Sequence, residues 1–129
     1  MSAWYLDTSA ILKLIILEDE SLALRAFIGE ENITSSYSRL EVTRTLKNFA
    51  ANAKKTAGLV LQTLSLVPVD TSVISQAQLI IETSELKAPD ALHVASAIQC
   101  APLIVGIITY DKQMAATASR LGLRVEAPH

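Results

Sequence analysis

The chain has 129 residues, half of them hydrophobic and only 5% aromatic, with a formal charge of −2 at neutral pH. This length fits one domain with one core, and the small net charge excludes a global electrostatic attraction to nucleic acid or to an anionic membrane. The single cysteine, Cys100, excludes an internal disulfide framework and is expected to be a packing residue. We therefore expect one domain over residues 1–129, in which a polyanionic ligand needs a local basic patch or bound cations.

The N-terminal region predicts a cytoplasmic protein. Met1 is not followed by a basic segment, an apolar run and a small-residue cleavage site. The apolar run from Ala10 to Leu17 is interrupted by Lys13 and is far shorter than the ~20 residues that a membrane-spanning helix needs. We expect this run to be a core helix and the protein to have no membrane association.

Hydrophobic periodicity divides the chain into alternating strands and helices. The first unit is a strand over residues 3–6, a turn over 7–9 and a helix from residue 10. The later predictions, in chain order, are a helix over 22–28, a strand over 32–35, a long helix over 39–55, a short helix over 59–64, a strand over 66–69, a helix over 73–81 capped from 70–72, a helix from 89, a strand over 103–108, a helix over 112–121 and a strand over 123–125.

Two strands carry additional information. Pro68 lies within the strand predicted over 66–69 and favours an edge of the sheet, because proline cannot donate to the ladder. The continuous apolar run 103–108 is typical of a central parallel strand with both faces covered. The alternation predicts an α/β fold: a single three-layer, Rossmann-like domain with a central, mostly parallel sheet of about five strands flanked by helices.

Four acidic residues fall at the ends of strands or the starts of helices. Asp7 and Asp111 directly follow two apolar strands, whereas Glu41 and Asp90 lie in the first turns of helices. Ligands of open parallel sheets bind outside the carboxyl ends of the strands, where the following helices begin. We expect the four side chains to converge there, with Asp90 less directly placed because its helix follows another helix.

A shared pocket for four carboxylates suggests a divalent cation. The carboxylates repel one another and raise each other's proton affinity unless cations neutralise them. Mg²⁺ and Mn²⁺ prefer oxygen ligands and can activate water or hold the oxygens of a phosphodiester in line. The pattern therefore predicts phosphodiester hydrolysis, with the alternative that each residue is only a helix cap or a solvated side chain.

Basic residues cluster around Glu41. Between residues 39 and 55 it is the only acidic side chain among five basic ones, namely Arg39, Arg44, Lys47, Lys54 and Lys55. We predict Arg39, Arg44 and Lys47 as substrate-binding residues. The alternative is a solvated helix face.

Several segments resemble the PIN-domain nucleases, and among them the VapC-type toxins of toxin–antitoxin pairs. The resemblance covers nearly the whole chain and rests on the segments YLDTSA at 5–10, SRLE at 38–41, PDALHVA at 89–95, TYDK at 109–112 and LGLRV at 121–125. It implies a PIN-like fold and an endoribonuclease whose RNA substrate differs between family members. It also implies a cognate antitoxin that occupies a groove near the site, and a homodimer.

The resemblance also assigns roles to individual residues. It implies that an acidic Mg²⁺ or Mn²⁺ site, which is both the metal site and the catalytic site, is formed by Asp7, Glu41, Asp90 and Asp111. Ser9 and Thr109 match the supporting hydroxyl groups of the family. His93 follows Asp90 by three residues, but hard cations prefer oxygen, so we interpret it as a structural histidine.

Three further hypotheses remain open. Asp7 could accept a phosphoryl group, although receiver-type proteins usually carry an adjacent acidic pair where Asp7 stands alone. The chain could instead be a non-catalytic module that binds RNA or a protein partner, with basic side chains contacting the phosphate backbone. The apolar segment Ile11 to Ile28 is predicted as a dimer or partner surface.

Overall fold

Five short parallel strands form the sheet in the computed structural model, which describes residues 3–129. The strands are β1 (Tyr5–Leu6), β2 (Asn32–Ser35), β3 (Leu64–Val67), β4 (Ile107–Ile108) and β5 (Val125–Glu126). Their order is β3-β2-β1-β4-β5, and all four pairings are parallel. The chain builds outward from β1 on one side and then crosses back to build β4 and β5 on the other, so the strand order reverses between β1 and β4.

Seven helices cover the two faces of the sheet. They are α1 (Thr8–Ile15), α2 (Ser21–Phe27), α3 (Ser38–Thr45), α4 (Ala51–Gln62), α5 (Thr71–Glu82), α6 (Ala88–Gln99) and α7 (Lys112–Arg120), all within residues 3–129. Within the same residues, none of the helices is long and apolar enough to cross a membrane.

A hydrophobic core lies on each face, as a three-layer fold requires. Successive strand residues point to opposite faces, so Tyr5 and Ile107 enter the core formed with α5, α6 and α7. Leu6 and Ile108 enter the core formed with α1 to α4. These four side chains are fully buried, and burial of each apolar chain contributes ~1.5–3 kcal/mol. Cys100 packs in the first core, as expected.

The long helix predicted over residues 39–55 is wrong, because the chain turns between α3 and α4. Phe49 has the spacing of a residue on the same helical face as Val42 and Leu46, yet it is 44% exposed, and Ala50 is extended. Val42 of α3 and Ala57 of α4 pack in the same core. One straight helix would separate them by about 22 Å, so the bend lets both helices bury an apolar face there. The helix predicted over 59–64 is the end of α4 followed by the first residue of β3.

Four strands also differ from the prediction in their bounds: β1 begins at Tyr5 instead of residue 3, and β5 covers Val125–Glu126 instead of 123–125. β3 lies at a sheet edge as expected, but it ends at Val67 and Pro68 follows it. Of the apolar run 103–108 only Ile107–Ile108 forms a strand, while Ala101–Leu103 forms a 3-10 turn and Leu103 is 58% exposed. The strand β4 pairs with β1, which also has only two residues, so the ladder between them is short.

Candidate active site

Asp7 is a buried carboxylate at the end of the central strand β1, with only 1% of its surface exposed. It caps α1: Oδ1 accepts from the Ala10 amide at 2.9 Å and from the Ser9 hydroxyl at 2.7 Å. The Thr109 hydroxyl donates to Oδ2. Burial raises the pKa of Asp7, and these hydrogen bonds together with His93 only partly oppose that effect. Asp7 is therefore a rigidly held carboxylate whose charge is costly without a nearby cation.

The two predicted supporting hydroxyls join the turns that follow β1 and β4. The Tyr110 amide donates to Ser9 Oγ at 3.0 Å, and the Asp111 amide donates to Thr109 Oγ1 at 3.1 Å. Each hydroxyl thus contacts Asp7 and at the same time holds the backbone that leads to Asp111. The structure brings both residues to Asp7, and their role in activity remains a prediction.

Asp111 occupies the same position after β4 that Asp7 occupies after β1. It caps α7, with Oδ1 accepting from the Met114 amide at 2.8 Å. The last residues of the two strands, Leu6 and Ile108, are paired directly across the sheet. Both carboxylates therefore lie at the strand-order reversal, which is the usual ligand-binding position of open α/β sheets.

Asp90 is partly exposed in the first turn of α6, after Pro89. Its pKa is raised first by burial and then by the negative charges of Asp111, Asp7 and Glu41, while His93 lowers it. Asp90 thus lies within electrostatic reach of all three other acidic residues, even though its helix does not follow a strand.

Glu41 is half-buried in α3 and held by two donors. Its Oε1 accepts from the Thr8 hydroxyl at 2.6 Å and from His93 Nε2 at 2.6 Å. Burial alone would raise the pKa of Glu41, but the hydrogen bonds from His93 and Thr8 outweigh it and the pKa is lowered. The carboxylate therefore stays ionised at neutral pH.

His93 is 1% exposed and connects the core to the site. Its Nδ1 lies 2.8 Å from the Tyr5 hydroxyl, whose pKa burial raises, so Tyr5 remains a donor. The Glu41 carboxylate can only accept, so Nε2 donates to it, and the Thr8 hydroxyl lies 3.2 Å from the same nitrogen. The histidine is buried and hydrogen-bonded, consistent with the structural role expected from its sequence.

The contact of His93 with Glu41 was missed by the sequence reasoning, and so was Thr8. The three-residue spacing between Asp90 and His93 places both on one face of α6 and so indicates that His93 lies near the acidic site. A second signal was Thr8 itself, in the first turn after Asp7. Neither signal identifies Glu41 as the partner, because Glu41 lies 52 residues from His93.

The carboxylates suit a hydrated divalent cation. Within residues 3–129 no three Asp, Glu, His or Cys side chains lie close enough to bind one ion together. Mg²⁺, however, keeps several waters and commonly takes only one or two carboxylates. Asp7 and Asp90, whose charges are the least stabilised, supply such oxygen donors, whereas both ring nitrogens of His93 are occupied. The four-residue metal site stays a prediction.

Two of the three predicted substrate-binding residues, Arg39 and Lys47, line grooves beside α3 and α4. Lys47 lines a cavity of about 410 Å³ together with Lys54, and Arg39 lines an adjoining one of about 450 Å³. Arg44 is exposed on α3. None of the four acidic residues lines either cavity, so the structure does not bring these cations into the acidic site.

The fold and the site define an α/β domain with an acidic centre at the strand-order reversal of a parallel sheet. The sequence model of the PIN domain matches residues 4–120. Ribonuclease VapC46 of Mycobacterium tuberculosis strain H37Rv is 37% identical over 99% of both chains, and ribonuclease VapC47 of strain CDC 1551 is 30% identical over 96% of both. The chain belongs to the PIN domain family, which confirms the resemblance seen in its sequence.

Solved structures show the same fold. A toxin–antitoxin complex from Klebsiella pneumoniae aligns with a TM-score of 0.74 at 22% identity, covering 98% of both chains. VapBC2 from Rickettsia felis, bound to a DNA fragment from the promoter, aligns with a TM-score of 0.73 at 14% identity, covering 98% of this chain and 99% of that one. The predicted single α/β domain with five parallel strands is therefore confirmed.

Proposed function

We propose that this chain is a metal-dependent endoribonuclease and the toxin of a toxin–antitoxin pair. Asp7 carries the proposal: it is an almost fully buried carboxylate, fixed by three donors where the strand order reverses. Burial disfavours its charge, so a binding site for a divalent cation explains why a carboxylate occupies this position. The relatives named as ribonucleases support RNA as the substrate.

Mg²⁺ or Mn²⁺ would be held by Asp7 and Asp90, with Asp111 and Glu41 acting directly or through water. Such an ion would supply Lewis acidity and charge neutralisation for phosphodiester hydrolysis. Ser9 and Thr109 hold Asp7 in place. Glu41, ionised and oriented by His93 and Thr8, is suited to accept a proton from the attacking water.

The exposed cations Arg39, Arg44 and Lys47 would contact the RNA backbone outside the acidic site. Arg39 and Lys47 line grooves that adjoin α3, the helix that carries Glu41, and Arg44 is exposed on that helix. Contacts of this kind hold RNA without reading its sequence and weaken steeply with salt.

A cognate antitoxin and a second copy of this chain are the proposed protein partners. The toxin–antitoxin complexes of Klebsiella pneumoniae and Rickettsia felis support the first. In the segment Ile11 to Ile28 the apolar residues of α1 are buried or partly buried against the core, but Leu17, Leu22 and Phe27 remain exposed. These three side chains are the part of the predicted surface that a partner could cover, and light scattering of the purified chain tests for the dimer.

Cleavage of RNA by Asp7→Asn and Asp90→Asn variants tests the function. Both should lose activity in Mg²⁺ or Mn²⁺ while keeping the fold, and chelation should abolish the activity of the parent protein. Asp70→Asn is the matched control, because Asp70 also caps a helix after a strand, accepting from the Val73 amide at 3.0 Å, but follows the edge strand β3. Full activity of Asp7→Asn would contradict the proposal.

The two alternative functions make different predictions. Asp7 lacks the adjacent acidic residue that receiver-type phosphoacceptors carry, so acetyl phosphate should give no mass adduct. A non-catalytic module would bind RNA without metal and leave it intact. Metal-independent binding without cleavage would favour that module over the nuclease.

A further inference from the structure

A small cavity opens beside Asp111 and shares no lining residue with the two grooves beside α3 and α4. Its volume is about 260 Å³, just below the ~300–1,000 Å³ of typical small-molecule pockets. It is lined by Glu20, Thr109, Tyr110, Asp111, Lys112, Ala115, Ala127 and His129. Because Thr109 and Asp111 belong to both, a group in this cavity would lie next to a phosphate at the acidic site.

The cavity wall is held in place by contacts between distant parts of the chain. The Tyr110 hydroxyl donates to the carbonyl of Pro128 at 2.7 Å, which fixes the C-terminal tail against the turn after β4. Lys13 Nζ lies 4.8 Å from the centre of the Tyr110 ring and donates to Glu20 Oε1 at 3.1 Å. Lys13 is only 9% exposed, so its charge holds Glu20 at the cavity.

Glu20 provides an ionised acceptor on this wall. The hydrogen bond from Lys13 keeps the pKa of Glu20 below its usual range, and the carboxylate is charged at neutral pH. A carboxylate offers about four lone-pair positions, so the bond to Lys13 leaves enough capacity to accept two donors from one ligand.

We propose that this cavity receives the base of a nucleotide next to the scissile phosphate, and that Glu20 selects guanine. The inference rests on the proposed endoribonuclease function. Guanine presents two adjacent N–H donors, N1 and N2, on one edge and so matches a carboxylate. Adenine and cytosine place an acceptor beside their amino group, and uracil flanks its N3 donor with two acceptors, which the carboxylate repels.

The other lining groups fit the same ligand. The Tyr110 ring and the methyl groups of Ala115 and Ala127 offer apolar contact to the faces of a base, in the way that proteins hold unstacked bases. Lys112 is exposed at the rim, beside Asp111, where it would contact a flanking phosphate. The carboxylates of Glu20 and Asp111, the cation of Lys112 and an apolar wall thus surround a space suited to one base.

Cleavage of a sequence-randomised RNA pool, with mapping of the new ends, tests the inference. The parent should show guanine enrichment at one fixed position beside the cut. Glu20→Gln should cleave the pool but lose this preference about tenfold, as expected for removal of one two-donor contact. Glu18→Gln is the matched control: Glu18 pairs with the same Lys13, at 3.7 Å, but does not line the cavity, and its preference should equal that of the parent.

A second measurement avoids dependence on the variant's stability. Inosine lacks the N2 amino group, so inosine in place of the preferred guanine should slow the parent about tenfold and leave Glu20→Gln unaffected. Cleavage by the parent without guanine enrichment, or equal enrichment in Glu20→Gln, would overturn this inference and leave the proposed function intact. No metal-dependent cleavage by the parent would overturn both.

Discussion

His93 donates from Nε2 to Glu41 Oε1 at 2.6 Å, across 52 residues of sequence. The other ring nitrogen, Nδ1, lies 2.8 Å from the hydroxyl of Tyr5 in the core, so hydrogen bonds on both sides fix the orientation of the ring. The carboxylate that we propose as part of the catalytic site is thus oriented by a residue that lies inside the core. This relationship leads to the first prediction.

Replacing His93 by alanine should lower kcat more than it raises KM. The change removes the donor that orients Glu41, and loss of such an orienting partner typically lowers activity or metal affinity ~10–100-fold. Tyr5→Phe keeps the ring and removes only the hydroxyl, so it should destabilise the fold by ~1–3 kcal/mol and reduce kcat less. Steady-state kinetics and urea unfolding measure both. An unchanged kcat in a folded His93→Ala protein would show that Glu41 needs no positioning.

Asp90→Asn should raise the thermal stability of the metal-free protein. The negative charges of Asp111, Asp7 and Glu41 oppose the ionised Asp90, and the amide removes that repulsion. Because Asp90 is partly exposed and screened by solvent, we expect a gain below ~1 kcal/mol. Added Mg²⁺ should stabilise the parent more than the variant, since ligand binding stabilises the state that binds it. Lower stability of the variant without metal would contradict this interpretation.

The stability of the metal-free protein should depend on pH with opposite signs for Asp90 and Glu41. The pKa of Asp90 is raised above its ordinary 3.8, so the folded state binds a proton at Asp90 more readily than the unfolded state does. The contribution of Asp90 to the free energy of unfolding therefore grows as pH falls through the folded pKa. The pKa of Glu41 is lowered from 4.5, so its contribution is present above 4.5 and is lost as pH falls through the folded value.

Unfolding free energies from pH 3 to pH 7, about the range of these titrations, measure the effect. Relative to Asp90→Asn the parent should gain stability toward acid, and relative to Glu41→Gln it should lose stability toward acid. Difference curves of the same sign would exclude the assigned electrostatic roles.

Gly106→Ala and Gly58→Ala should change stability in opposite directions. A Cβ at Gly106 would lie 2.9 Å from both the Trp4 ring and the Arg124 side chain, and overpacking of this kind costs ~1–3 kcal/mol. Gly58 lies within α4 with nothing within 4 Å of the added Cβ, so alanine should stabilise the helix by ~0.5–1 kcal/mol. Chemical unfolding of both variants tests the pair, and a neutral Gly106→Ala would contradict close packing beside β4.

Local signals in the sequence were sufficient for most of the fold. Asp7, Asp70 and Asp111 each cap the helix after a strand, and each was recognisable as an acidic residue between an apolar run and a helical pattern. Strand β2 and helices α2 and α7 lie within one or two residues of the prediction. Hydrophobic periodicity alone gave a wrong prediction over residues 39–55. Two helices that face the same core show the same spacing of apolar residues as one long helix, so the spacing does not reveal the turn between α3 and α4.

The sequence by itself determined where Asp7 and Asp111 emerge, because the end of an apolar strand and the cap of the next helix are encoded by neighbouring residues. Only the tertiary structure decided that His93 and Thr8 hold Glu41, and that Lys13 fixes Glu20 beside Asp111. These contacts join different elements through the packing of helices on the sheet, and residue spacing along the chain carries no record of which side chains meet there. Asp7 is at once a helix cap and the proposed cation ligand, because a parallel sheet brings its strand ends and helix starts to one edge.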